Sequence, residues 1–184
     1  MDLQHPLRSL IPSLDADVLE VLATVHVGLG VSQITRRASR GSRAGITAVL
    51  DRMVAHGLVT AEPGNQGSLY RLNRRHILTP ALLTAIAVKT DLLEGLRSTF
   101  QSAASDAAHV SVFGSLARGE AGPGSDIDVL LVGATEQQVR QWEDSLASAR
   151  LRVEQWSGNR CQTIAISITH LRRLSKAGES IVGS

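Results

Sequence analysis

The sequence predicts an α+β protein in which an N-terminal domain of helices and a β-hairpin is joined by one helix to a C-terminal α/β domain. Three observations support this fold class. Apolar residues recur at helical spacing through the first part of the chain, and two strand-like runs around a Gly- and Pro-rich turn follow them. Pro80 then begins another helical pattern, and short apolar runs near 109–113, 127–132 and 161–168 indicate a second sheet. We therefore expect domains at residues 1–78 and 106–184 and a connecting helix at residues 79–105.

Composition restricts the class of protein. A hydrophobic content of 43% over 184 residues is enough for two small cores and argues against disorder. No stretch approaches the roughly 20 uninterrupted apolar residues of a membrane span, so we expect no membrane partner. The start MDLQHPLRSL has no signal-peptide core, so we expect a cytoplasmic protein. The single cysteine, Cys161, excludes an internal disulfide and is predicted to be a core residue.

Two helices are predicted before residue 40. The first is marked by apolar residues at helical spacing, namely Val18, Val21, Leu22 and Val25. Asp15 and Asp17 are acidic start signals for it, and it should end by Gly28. Ser32 is the predicted N-cap of a short second helix that runs to about Ala38.

A third helix follows the break at residues 40–42 and should end at Gly57. Its apolar face fits the helical period throughout, with Ile46, Val49, Leu50, Met53 and Val54. Its other face carries Arg43, Thr47 and Arg52. Residues 58–60 and 68–72 then resemble two strands around a turn at residues 63–67.

Three helices followed by a hairpin that ends in Leu69-Tyr70-Arg71-Leu72-Asn73 resemble a winged helix-turn-helix domain. By this resemblance the third helix would enter the major groove of double-stranded DNA. Charge agrees in sign, because residues 1–78 carry a net charge of +3 and the remainder carries −1. The candidate DNA-binding residues are Arg36, Arg37, Arg40, Ser42, Arg43 and Thr47. The alternative is that this basic face is solvated on a domain used for pairing with a protein.

The connecting helix starts at Thr79-Pro80 and extends to about Ala104. Its apolar residues, which could pack on either neighbouring domain, are Leu83, Ile86, Leu93, Leu96 and Phe100.

The segment VSVFGSLARGEAGPGSDIDVLLV, residues 110–132, carries the candidate chemistry. A strand at 109–113 stops at Gly114-Ser115, after which a helix can begin. The free backbone amides of such a turn, the positive end of the helix dipole and the Ser115 hydroxyl would form an anion site. Asp126 and Asp128 lie at i and i+2 of a strand, so their carboxylates project together while Ile127 faces the core. Such a pair suits Mg²⁺ held jointly with substrate phosphates, whereas an isolated pair of this kind would only cap a loop.

The order G-S-x-A-R-G, a loop and S-D-I-D resembles the nucleotidyltransferase superfamily of DNA polymerase beta, and in particular its minimal members. The resemblance implies that Gly114 and Ser115 bind the β- and γ-phosphates of a nucleoside triphosphate. It implies that Asp126 and Asp128 are catalytic and hold two Mg²⁺ or Mn²⁺ ions for transfer of a nucleoside monophosphate. The further nucleotide-binding candidates are Arg118 and Ser125.

After this segment, one helix is predicted from its single apolar face, formed by Val139, Trp142, Leu146, Ala149, Val153 and Trp156. Both tryptophans are therefore interpreted as core residues. A strand at residues 161–168 and a short helix at residues 170–176 follow. The tail from Gly178 to Ser184 is either frayed or begins another element.

The sequence departs from the superfamily pattern at the third carboxylate, which the resemblance places on a later strand. The strand at residues 161–168 contains no acid, and Gln162 occupies about that position. A neutral amide cannot act as a base or match a carboxylate's attraction for a metal. Two hypotheses follow: a DNA-binding nucleotidyltransferase, or a catalytically impaired regulator whose transferase fold senses nucleotide. An antitoxin-like role, with a protein partner that is modified or bound, is a variant of the second.

Overall fold

The computed structural model describes residues 1–65 and 67–177, so Gln66 of the predicted turn and the predicted tail at 178–184 lie outside the described residues. The chain combines helices with sheets, consistent with the predicted α+β class. It forms two compact units. Unit A comprises His5–Val88, and unit B comprises Met1–Gln4 together with the chain from Lys89 onward. The division therefore falls inside the predicted connecting helix, and the first four residues belong to unit B.

Unit A consists of short helices and a three-stranded sheet. Its elements in chain order are α1 (Leu7–Leu10), α2 (Leu14–Ala23), β1 (Leu29–Gly30), α3 (Val31–Arg37), α4 (Arg43–Ala55), β2 (Val59–Gly64) and β3 (Gly67–Leu72). The strand order is β1-β3-β2, and both pairings are antiparallel. Strands β2 and β3 are the predicted hairpin, and β1 adds a short third strand that the sequence pattern does not predict.

Helix α4 confirms the prediction for the third helix. The Ser42 hydroxyl accepts a hydrogen bond from the Gly45 amide at 3.1 Å, which caps the first turn. The helix ends before Gly57, whose φ of 72° lies in the left-handed region that favours glycine. Ile46 and Leu50 are fully buried, so the predicted apolar face packs into the core of unit A.

The start of α3 corrects the sequence prediction. The N-cap is Gly30 rather than Ser32, and the Gln33 side chain accepts a hydrogen bond from the Gly30 amide at 2.9 Å. Gly30 also pairs with Leu69 as the end of β1. Because strand pairing already holds residue 30 in an extended conformation, the helix begins directly after it, two residues earlier than an N-cap at Ser32 would have placed it.

Asp17, predicted only as an acidic start signal, lies in the interior of unit A. Its side chain is 0% exposed and forms ion pairs with Arg8 and Arg40. The Ser39 hydroxyl donates a further hydrogen bond to it at 2.9 Å. A buried carboxylate thus ties α1, α2 and the segment before α4 together.

Unit B contains a second three-stranded sheet with helices. Its elements are the second part of α5 (Thr79–Ala103), then β4 (His109–Phe113), α6 (Gly114–Arg118), β5 (Ile127–Gly133), α7 (Glu136–Gln141), α8 (Glu143–Ser157), β6 (Cys161–Ser167) and α9 (Ile168–Ala177). The order is β4-β5-β6, with β4 antiparallel and β6 parallel to β5. The three strands confirm the predicted runs, and the parallel pair uses α7 and α8 as its crossover connection.

One face of this sheet forms the core of unit B. Ile127, Val129 and Leu131 are each at most 1% exposed, as expected for alternate residues of a strand with one buried face. They pack in one cluster with Phe100 of α5 and Val153 of α8. The prediction for Ile127 is confirmed, and the intervening Asp128 is consequently directed to the opposite face of the sheet.

The crossover departs from prediction in two respects. The single predicted helix is divided into α7 and α8, with Trp142 between them. Trp142 is buried as predicted, and its indole nitrogen donates a hydrogen bond to the Asp106 carboxylate at 2.8 Å. The core prediction for Trp156 is wrong, because this side chain is 45% exposed. Trp156 lies in the last turn of α8, where its ring lies beside Gly95 and leaves its other side to solvent.

Candidate functional site

The predicted anion-binding turn lies where β4 ends and α6 begins. Gly114 is the first residue of α6 and has a φ of 67°, a conformation that favours glycine. A Cβ atom at this position would overlap Oδ2 of Asp128. The backbone of the turn therefore lies directly against the carboxylate, and any larger residue would displace one from the other.

Asp128 and Asp126 form a pair of interacting carboxylates. Asp128 lies on β5 and is paired with Phe113 of β4 on one side and Gln162 of β6 on the other. Asp126 comes one residue before the strand. Burial raises the pKa of Asp128, the negative charge of Asp126 raises it further, and the positive charge of Arg118 partly opposes both. A bound cation would relieve this repulsion between like charges.

A cavity of about 560 Å³ collects the candidate residues. Those that line it are Gly114, Ser115, Arg118, Ser125, Asp126 and Asp128. The structure thus brings together, on one concave surface, the side chains and the turn that the sequence pattern selected. Phe113 and Ile164 add apolar lining beside them.

Two of these residues make local contacts of their own. The Ser125 hydroxyl accepts a hydrogen bond from the Gly122 amide at 2.9 Å, which closes the loop before Asp126. The Arg118 guanidinium donates to Glu120 at 2.8 Å, and both side chains are exposed. An exposed ion pair of this kind contributes little to stability, so it leaves Arg118 available for another anion.

Gln162 lies within the site. It is paired with Asp128 across the parallel strands, and its Nε2 donates a hydrogen bond to Oδ2 of Asp126 at 2.7 Å. Glu154, the nearest acid in the sequence, accepts a hydrogen bond from the Cys161 amide at 2.9 Å. Across residues 1–65 and 67–177, no group of three or more His, Cys, Asp or Glu side chains is placed to hold a metal ion. The third polar side chain beside Asp126 and Asp128 is thus the neutral amide of Gln162.

Cys161 precedes Gln162 and is a buried free thiol, as predicted. Burial raises the pKa of this thiol to about 12, and the neighbouring charge of Glu154 acts in the same direction. The thiol therefore stays protonated at neutral pH and packs as a small apolar group.

Asn159, which no local sequence pattern singles out as functional, holds the loop that carries Asp126. Asn159 is 3% exposed, and its Nδ2 donates to the Ser125 carbonyl at 2.9 Å. The only local signal was the Gly158-Asn159 pair before β6, which is typical of a turn. The contact with Ser125 spans 34 residues of sequence, so no local pattern reveals it.

The candidate DNA-binding residues of unit A differ in their contacts. Arg36 and Arg37 are exposed in the last turn of α3. Arg43 donates to the Ser32 hydroxyl at 2.7 Å. Arg40 forms the ion pair with buried Asp17, while 46% of its own side chain remains exposed.

The other two candidate DNA-binding residues, Ser42 and Thr47, form side-chain hydrogen bonds with the backbone of α4. Ser42 caps the helix, and the Thr47 hydroxyl donates to the Arg43 carbonyl within it at 2.9 Å. Among the four arginines of this set, Arg40 and Arg43 form side-chain hydrogen bonds. Arg36 and Arg37 form none with the described residues, and both are exposed.

Comparison with protein families is informative for part of unit B. A family model described as a nucleotidyltransferase domain matches residues 92–157. This match supports the nucleotidyltransferase superfamily. The matched segment contains the Gly114-Ser115 turn and both aspartates. Gln162 lies beyond it.

A search of solved structures found an archaeal chromatin protein, TrmBL2, whose structure is described as showing a novel mode of DNA binding. The similarity has 17% sequence identity and a TM-score of 0.31, and it covers 89% of this chain and 68% of that one. A TM-score this low supports no conclusion about this chain. No curated protein sequence matches the chain. None of the helices in the described part of the chain combines the length and apolarity needed to cross a bilayer.

Proposed function

We propose that the protein is a DNA-binding nucleotidyltransferase that moves a nucleoside monophosphate from a nucleoside triphosphate to a hydroxyl acceptor. The main support is that the Gly114-Ser115 turn, Asp126 and Asp128 line one cavity within the segment matched by the nucleotidyltransferase family model. In the reaction the acceptor hydroxyl loses its proton to solvent and its oxygen bonds to the α-phosphorus. The bond between the α-phosphorus and the oxygen that bridges to the β-phosphate breaks, and pyrophosphate leaves. The acceptor is a hydroxyl on nucleic acid, protein or a small molecule.

Asp126 and Asp128 would hold Mg²⁺ or Mn²⁺ in this proposal. Burial and, after it, the negative charge of Asp126 raise the pKa of Asp128, and a bound cation would favour the ionised form of both carboxylates. Two carboxylates leave coordination positions for substrate phosphates, which is the usual arrangement for magnesium. Bound divalent ions supply neutralisation of the developing phosphate charge and activation of the acceptor hydroxyl.

The remaining polar groups of the cavity would position the triphosphate. The backbone amides of the Gly114-Ser115 turn and the Ser115 hydroxyl are donors suited to phosphate oxygens. Arg118 adds a positive charge that already acts on Asp128 and that an entering anion would attract. Ser125 is the further candidate donor on the loop opposite the turn.

We further propose that unit A is a winged helix-turn-helix domain that binds double-stranded DNA. The arrangement of α2, α3 and α4 followed by the β2-β3 hairpin supports this assignment. Arg36 and Arg37 would contact phosphates, and Ser42, Arg43 and Thr47 would lie towards the bases. Because Arg40 is held by Asp17, its contribution to DNA binding would come through the fold rather than through a phosphate contact.

A second candidate function is favoured by Gln162. It donates a hydrogen bond to Asp126, so a neutral amide lies beside the two carboxylates. This contact supports the suggestion that Gln162 stands in for the third carboxylate that the superfamily resemblance implies. A site with two acids and an amide would bind a metal-nucleotide without efficient turnover. The chain would then be a regulator, or an antitoxin-like protein, whose transferase fold senses nucleotide or binds a protein partner.

One experiment tests the two candidates. The full chain is incubated with each labelled nucleoside triphosphate, Mg²⁺ or Mn²⁺ and candidate acceptors, beside the Asp126→Asn/Asp128→Asn variant. The enzyme proposal expects label transfer with pyrophosphate release, reduced at least about a hundredfold in the variant because the charge-stabilising ligands are lost. Asp91→Asn/Asp144→Asn is the matched control, because both residues are exposed and neither lines the cavity.

The outcomes separate the candidates. Absence of transfer by the wild type, with specific DNA binding retained, contradicts the enzyme proposal. Transfer that appears only in a Gln162→Glu variant supports the second candidate, because one added carboxylate would then complete the site.

A further inference from the structure

We infer that Asn159 is a positioning residue for the metal-binding loop and that it acts with residues Met1–Gln4, named here the N-terminal clasp. This inference rests on the proposed function of Asp126 and Asp128 as metal ligands. It deepens that proposal by assigning the groups that hold those ligands in place.

The backbone on both sides of Asp126 is hydrogen-bonded to the turn at residues 159–160, which precedes β6. The Ser125 carbonyl, immediately before it, accepts a hydrogen bond from Asn159 Nδ2 at 2.9 Å. The Ile127 amide, immediately after it, donates to the Arg160 carbonyl at 2.8 Å. Two consecutive residues of the turn before β6 therefore fix the three-residue stretch that carries the carboxylate.

Asn159 is itself fixed by hydrogen bonds to Met1 and Ser157. Its side-chain Nδ2 also donates to the Met1 carbonyl at 3.1 Å, and its side-chain Oδ1 accepts from the Met1 nitrogen at 2.9 Å. Its backbone amide donates to the Ser157 hydroxyl at 3.1 Å. With both ends of the carboxamide satisfied, its orientation towards Ser125 is determined rather than free to rotate.

The N-terminal clasp contacts both α6 and the loop before Asp126. Leu3 is fully buried in the same apolar cluster as Ile127, which anchors the segment. Asp2 pairs with Pro123 in the loop before Asp126. The Gln4 side chain donates to the Leu116 carbonyl of α6 at 3.3 Å. The clasp thus contacts the helix that follows the phosphate turn and the loop that carries the first aspartate.

Metal affinity depends on such outer contacts, because a ligand held in the bound geometry loses less freedom when the ion arrives. Such contacts matter most for Asp126. Among the described residues, its carboxylate is hydrogen-bonded only to the Gln162 amide, and an ion would have to displace that amide. Neither Asn159 nor the clasp supplies a ligand atom in this scheme.

The test is a titration of the full chain with Mn²⁺ alone, followed by electron paramagnetic resonance. Removal of an outer-shell partner typically weakens metal binding by about ten- to a hundredfold, so we expect about tenfold weaker binding for Asn159→Ala. The matched control is Asn73→Ala in unit A, whose Nδ2 donates to the Gly57 carbonyl at 2.8 Å. It removes a similar contact far along the chain from the ligands and should leave Mn²⁺ binding unchanged.

Gln4→Ala provides a second, milder variant in case Asn159→Ala does not fold. It removes the two side-chain hydrogen bonds of Gln4, to the Leu116 carbonyl and from Lys89 Nζ, and should weaken Mn²⁺ binding roughly threefold. Wild-type affinity in every folded variant of Asn159 and Gln4 would overturn the inference, as would equal weakening in Asn73→Ala. The proposed metal site would survive either result, provided that Asp126→Asn/Asp128→Asn loses binding. Absence of Mn²⁺ binding by the wild type would overturn both.

Discussion

Glycine at position 114 shows how one residue type serves both the fold and the candidate chemistry. Its positive φ allows the sharp transition from β4 to α6, and its missing Cβ allows the backbone to lie against Asp128. The sequence pattern assigned this glycine to an anion-binding turn. The structure adds the carboxylate as the group that leaves no room for a side chain.

Gly114→Ala should therefore affect both stability and metal binding. A left-handed conformation costs a non-glycine residue about 1–2 kcal/mol, and the new Cβ would also displace the Asp128 carboxylate. We expect lower stability in chemical denaturation and weaker Mn²⁺ binding. Gly119→Ala is the matched control, because its φ is 76° but no atom lies within 4 Å of its Cβ position. It should lose similar stability while binding Mn²⁺ normally, and equal metal loss in both variants would contradict the steric explanation.

At the scale of elements, the buried Asp17 determines how the N-terminal helices of unit A are held. Burial alone would raise the pKa of its carboxyl, but hydrogen bonds from Arg40, Arg8 and Ser39 hold that pKa below its ordinary value of 3.8. Because the folded-state pKa is depressed, the ionised carboxylate stabilises the fold above pH 3.8. That contribution is lost as the pH falls through the folded-state pKa.

Asp17→Asn should lower the free energy of unfolding at pH 7 by about 3 kcal/mol, since it leaves Arg8 and Arg40 without their buried partner charge. The difference from wild type should shrink as the pH is lowered below 3.8, where the wild-type carboxylate is itself being protonated. Denaturant titrations across this pH range measure both effects. The exposed Asp51 on α4 supplies the control Asp51→Asn, and a deficit independent of pH would rule out the ion-pair explanation.

At the scale of the whole molecule, charge is unevenly distributed along the chain. Residues 1–78 have a net charge of +3, and the remainder has −1. Two cations in the basic part, Arg36 and Arg37, are exposed at the end of one helix. This distribution supports the proposal that unit A contacts an anionic polymer.

Arg36→Ala/Arg37→Ala should weaken DNA binding without unfolding unit A. If both side chains contact phosphates, the plot of log affinity against log salt concentration should become less steep, with the magnitude of its slope smaller by roughly two. Fluorescence anisotropy at several salt concentrations measures this slope. Arg172→Ala/Arg173→Ala removes two adjacent exposed charges from α9 and serves as the control. An unchanged slope in the first variant would exclude these arginines from the DNA interface.

Local sequence patterns predicted most elements and the central part of the candidate site. The periodicity of α4, the Thr79 start of α5 and the three strands of unit B are encoded within short windows of sequence. The Gly114-Ser115 turn and the two aspartates belong to one such window. Their common cavity follows from the antiparallel pairing of β4 with β5, which are adjacent along the chain.

Contacts between distant parts of the chain were decided only by the tertiary structure. Gln162 reaches Asp126 because β6 returns beside β5 through a crossover, and Asn159 reaches Ser125 for the same reason. The ion pair of Arg40 with Asp17 likewise joins residues that lie 23 positions apart in the sequence. Helices, strands and turns depend on residues that are close together in the sequence, and a local sequence pattern can therefore predict them. The partner of a given polar side chain depends on which segments pack together, and that is a property of the whole fold.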